Sequence, residues 1–122
     1  MFARQSRVYR TVSIDSAGPA RLIDEMYAAA LTDIRQAREK IAARDFAGKG
    51  KALSHALAIV GELSGALDHE RAPQLCANLT NLYDFVAARL GEANIGMKAA
   101  PLDDAEKILV TLRDAFGKAQ GR

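Results

Sequence analysis

Apolar residues recur along most of this chain at steps of three and four, the spacing that aligns side chains on one face of an α-helix. A first stripe runs Ile23, Met26, Ala30, Ile34, Ala37, Ile41, and a second Leu53, Ala56, Val60, Leu63, Leu67. A third runs Leu79, Leu82, Val86, Leu90, Ala93, and a fourth Leu102, Ala105, Leu109, Leu112, Phe116, Ala119. Punctuation separates them. Pro19, Pro73 and Pro101 stand where a first helical turn accepts proline, because the amide it lacks has no partner there. Gly48 and Gly50 in "RDFAGKGK" break the pattern after the first stripe, and Asp103 and Asp104 suit the positive end of a fourth helix. No segment sustains the period-two alternation of a half-buried strand. Val8 to Ile14 comes closest and, with no partner strand, reads as an extended arm or a short extra helix.

Four helices of about 20 residues, each ~30 Å long, joined by short breaks predict an all-α fold. The arrangement is an antiparallel up-down-up-down four-helix bundle with a short N-terminal cap segment. Residues 1–15 form the arm or cap and residues 16–120 the bundle.

Composition agrees and adds exclusions. At 122 residues the chain is one domain, with 49% hydrophobic and 26% charged residues, ordinary for a globular protein. The net charge of +2 comes from nearly balanced signs, and no basic run extends beyond Arg4, Arg7 and Arg10, so nucleic acid is not an expected partner. The single cysteine, Cys76, excludes an internal disulfide and a multi-cysteine zinc site; beside the third stripe it reads as a small hydrophobe. No run approaches the ~20 apolar residues of a membrane span. The start "MFARQSRVYRTVSI" lacks a signal-peptide apolar block, so the protein is expected to stay in the cytoplasm where it is made.

Catalytic chemistry is missing. A di-iron bundle needs Glu-x-x-His pairs, and neither His55 nor His69 has a glutamate three residues before it. A histidine phosphotransfer domain, or another signalling four-helix bundle, is the competing reading, since His55 lies mid-helix and off the core stripe. Phosphotransfer domains carry a lysine and a glycine shortly after the histidine, where this chain has Ala58 and Ile59. Asp24, Glu25, Glu62 and Glu92 are scattered over the expected wet faces, without the dry pairing that acid–base work needs. Gly48 and Gly50 precede no Lys-Ser or Lys-Thr pair of a phosphate loop. The chain reads as a binding protein with no cofactor and no enzymatic activity.

The positive signal is surplus apolar surface. Ala52, Ile59 and Ala66 repeat every seven residues about 100° from the second stripe, and Phe85 lies off the third stripe beside Asn78 and Asn81. If neighbouring helices bring these flanks together, they make a groove floored by small residues and walled by Ile59 and Phe85, suited to an amphipathic helix. Covering each wall residue would contribute ~2 kcal/mol at most. Competing uses are packing of Phe85 under the N-terminal arm and self-association into a homodimer.

Ordered matches along nearly the whole chain resemble the FliS family of flagellar secretion chaperones. Tyr9 and Val12 correspond to the family's early tyrosine and valine. "SAGPARLIDEMY" is similar to its Ser-Pro-x-x-Leu-Ile helix start followed by Met-Leu-Tyr, through Ser16, Pro19, Leu22, Ile23, Met26 and Tyr27. "ALSHALAIVGELSGALD" is similar to its Lys-Ala-x-x-Ile-Ile-x-Glu-Leu helix at Ala56, Ile59, Val60, Glu62 and Leu63. "NLTNLYDFVAARLGEANI" matches at Asn78, Leu79, Leu82, Tyr83, Leu90, Ala93 and Asn94, and Phe116 stands where the family usually has tryptophan. "DHERAP" lacks the family's paired glycines, and Gly18 separates Ser16 from Pro19. The resemblance implies a capped bundle that binds the disordered C-terminal segment of flagellin, prevents premature polymerisation and docks on a component of the flagellar export gate. The expected partner-binding residues are Val8, Tyr9, Val12, Ala52, Ala56, Ile59, Ala66, Asn78, Asn81 and Phe85.

Overall fold

The computed structural model describes residues 8–9, 18–119 and 121. Among them are four helices: α1 Gly18–Ala42, α2 Phe46–Gly65, α3 Pro73–Gly96 and α4 Ala100–Ala119. The predicted stripes supply the core. Ile23, Ala30, Ile34, Ala37 and Ile41 of α1 are buried, as are Leu53, Ala56, Val60 and Leu63 of α2, with Leu67 just beyond its end. Leu102, Ala105, Leu109 and Leu112 complete it from α4, while Met26 and Phe116 pack half-buried against its edge. Cys76 is fully buried, and its thiol donates to the Asp68 carbonyl at 3.3 Å.

Ion pairs fix the helix directions. Arg38, near the end of α1, forks onto Asp103 at 2.8 Å and onto both oxygens of Glu106 at 2.9 and 3.1 Å, near the start of α4. Arg113, late in α4, reaches back to Asp24, early in α1, at 2.9 Å. Two such ties at opposite ends require α1 and α4 to run antiparallel. Lys49 of α2 donates to the Asn94 carbonyl of α3 at 2.7 Å, and Arg89 of α3 meets Asp104 of α4 at 2.9 Å, which makes those neighbours antiparallel as well.

Two local expectations are corrected. Gly48 and Gly50 lie inside α2 rather than breaking it. Asp45 caps the helix, its carboxylate accepting from the Gly48 amide at 2.8 Å. That bond is the leading cause of a carboxyl held below its usual range, with Lys40 assisting. A side chain at position 48 would have its Cβ 2.6 Å from the Asp45 carboxylate, so glycine there keeps the cap intact. On α3, Leu82 is 37% exposed and Tyr83 takes the core place expected of it. Both positions satisfy a three-or-four step from Leu79, and hydrogen bonding decides between them.

Val8 and Tyr9 are the described part of the arm, and both are buried, at 0% and 4% exposure. They were expected on the partner-binding surface; instead they plug one end of the bundle. Tyr9 bridges antiparallel to Leu67, and the Asp68 amide donates to the Val8 carbonyl at 2.6 Å. The phenol of Tyr9 meets those of Tyr27 from α1, at 3.1 Å, and Tyr83 from α3, and Tyr27 and Tyr83 are 2.5 Å apart. In a ring of three hydroxyls each can donate once and accept once, so none of the three is left without a partner. Phe116 of α4 closes the cluster, its ring 5.3 Å from Tyr9 and 6.1 Å from Tyr27.

These are all three tyrosines of the chain, which has no tryptophan. Tyr83→Phe removes one member of the ring and is expected to lower the free energy of unfolding by about 1–3 kcal/mol, read from urea denaturation. Burial is the leading cause that pushes all three phenols above their ordinary value of 10.0. The folded state therefore holds the phenolic protons more tightly than the unfolded chain. Stability from this source is complete below the unfolded value and is lost as pH rises above it. Tyrosinate absorbance in an alkaline titration is expected to appear together with loss of helical signal, not before it.

Candidate partner-binding surfaces

Each helix buries one stripe and turns two flanks toward its neighbours. His55, one turn before Ile59 on α2, bonds Asp33 of α1 through Nδ1 at 2.5 Å. The flank bearing Ile59 and Ala66 therefore faces α1. Phe85 of α3 lies one turn before Arg89, which reaches Asp104, so its flank faces α4. Ile59 and Phe85 consequently do not wall a single groove. The expected groove is replaced by two apolar crevices, one along α1/α2 and the other along α3/α4.

In the α1/α2 crevice Ile59 and Ala66 are half-buried against the core. Antiparallel register, set by the Asp33–His55 contact, brings Leu22 and Met26 of α1 to the level of Ala66 and Glu62. Leu22 is 53% exposed, and sequence reasoning missed it because it neighbours Ile23, which carries the core stripe. Ala52 and Ala56, expected on the groove floor, are buried in the core instead, at 7% and 0%. Their small size serves close helix packing.

In the α3/α4 crevice Phe85 is 47% exposed, and Leu82 and Leu75 continue its strip toward the start of α3. Asn78 is exposed on the same flank, whereas Asn81 is exposed on the outermost face of α3. Beyond Phe85 the charged side chains of Arg89 and Glu92 interrupt the strip, and an open cleft of about 590 Å³ follows, where they join Ala88, Gly91, Ile95, Lys98, Ala100 and Pro101 in the lining. Ile95 is 91% exposed and was not anticipated, being the last apolar residue before the helix ends. From Leu75 to Phe85 the strip is ~15 Å long. Val12, the remaining predicted contact, lies outside the described residues.

The chemistry of His55 opposes the phosphotransfer reading. Its ring contacts a carboxylate, which repels a phosphoryl group, and Ile59 offers no cation to steady one. Among the described residues no three histidine, cysteine or carboxylate side chains gather as a metal site, and no helix is long and apolar enough to cross a membrane.

The family model for the flagellar protein FliS matches residues 1–122. The flagellar secretion chaperone FliSB of Pseudomonas aeruginosa is 33% identical over 121 residues, covering 95% of this chain and 96% of that one. FliS chaperones of Salmonella typhimurium and Bacillus subtilis are 31% and 32% identical, over 90% and 91% of this chain and 85% and 82% of theirs. These relatives are named as chaperones, not enzymes. A full-length family match, on a capped helical bundle with apolar flanks left uncovered, places this chain in the FliS family of flagellar proteins.

Proposed function

We propose that this chain is a non-enzymatic cytoplasmic export chaperone that holds the C-terminal segment of flagellin along its two crevices. Holding that segment prevents premature polymerisation until the complex reaches a component of the export gate. Family membership supports a chaperone role in flagellar export. The observation that carries the finer reading is the α3/α4 strip, where Leu75, Leu82 and Phe85 remain exposed beside a filled core. Exposed apolar side chains along one flank over about three turns of helix fit an amphipathic segment better than a small molecule. A disordered client loses conformational entropy as it becomes helical, and burial of its apolar face offsets that cost.

Co-purification with flagellin that keeps or lacks its C-terminal segment is the direct test; recovery of both forms equally would sink the reading. Phe85→Asp and Leu22→Asp sample the two crevices without touching the buried core. Each is expected to weaken client binding by about tenfold or more, from the ~2 kcal/mol that burying one large side chain contributes, with helical signal unchanged. Removing residues 1–14 is expected to change client affinity, and an unchanged value would separate the arm from the binding surface. Self-association through the same strips would appear in light scattering as a dimer that client dissociates.

A further inference from the structure

Two charged side chains are buried in the helix interfaces among the described residues, Lys49, bonded to the Asn94 carbonyl, and Asp33. Asp33 is a carboxylate at 8% exposure, and His55 is its partner, with no other among the described residues. The His55 side chain is 63% exposed. When the ring is neutral, a hydrogen bond from Nδ1–H to Asp33 selects one tautomer and leaves Nε2 as an acceptor. His55 lies one turn from Ile59 on the α1-facing flank, where the surface changes from apolar to polar.

We propose that His55, oriented by Asp33, is a specificity-determining residue that reads a hydrogen-bond donor on the client. This rests on the client reading above. A chain lying on Leu22, Met26 and Ile59 and continuing along the crevice covers Nε2 and removes it from water. An acceptor so covered is costly unless the occupant supplies an N–H or O–H at that level. With the imidazole neutral, the pair carries one negative charge, so an amide, hydroxyl or ammonium group is accepted and a carboxylate is rejected. The client sequence that fits has apolar residues at helical spacing followed, about one turn on, by such a donor.

A bracing role for the pair and an acceptor role are separable. Both His55→Lys and His55→Gln keep a donor for Asp33, and only Gln also offers an outward acceptor. Affinity for a peptide of the flagellin C-terminal segment, measured by calorimetry at pH 8, is expected to fall roughly tenfold with Lys and to stay within about threefold with Gln. Equal affinity in both variants would reduce the pair to a brace between α1 and α2, and overturn the proposal. Equal losses in both, or a loss confined to Gln, would overturn it as well. Failure of the unaltered protein to bind the peptide would instead remove the client reading, and this inference with it.

Discussion

Three phenolic hydroxyls beyond the reach of water hold the architecture together. Tyr9, Tyr27 and Tyr83 come from the arm, α1 and α3, and each alone would be a polar group stranded among aliphatic side chains. Together they satisfy one another, and Phe116 brings α4 against the same cluster. The rotation of α3 follows from this. Turning Tyr83 inward places Leu82 at the rim and Phe85 on the flank toward α4, so the buried ring sets which apolar residues are left outside.

Much of this was legible from spacing alone. The three-and-four steps located all four core stripes, and the prolines located the starts of α1, α3 and α4. Position 82 against position 83 was not legible, because leucine is the more apolar and both fit the period. Nor was the start of α2, where the Asp45 cap outweighs the low helix propensity of glycine. The pairing of flanks was misjudged for a deeper reason. Periodicity assigns a residue to a side of its own helix, but not to the neighbour that side meets. His55–Asp33 and Arg89–Asp104 settle that, and neither contact is visible in a one-dimensional pattern.

The seams between helices are treated differently. Between α1 and α4, guanidinium forks from Arg38 and Arg113 bridge both ends, and planar bidentate geometry fixes register as well as adding energy. Among the described residues the α1/α2 seam has Asp33–His55 and, at its loop end, Lys40–Asp45, and the α3/α4 seam has Arg89–Asp104, with Leu22, Leu82 and Phe85 left exposed beside them. Partial exposure of these ion pairs keeps their contribution to stability modest; their larger effect is to decide which seams stay closed.

Placing the two uncovered flanks on opposite sides of the bundle turns it into a ruler. Spanning both takes about 11 helical residues for the strip from Leu75 to Phe85 and about 11 for the stretch from Leu22 to the level of Asp33. Crossing two helix widths of roughly 20 Å takes about six more residues in extended form. A segment shorter than roughly 25 to 30 residues cannot lie along both flanks at once, a limit of contour length set by the width of the bundle.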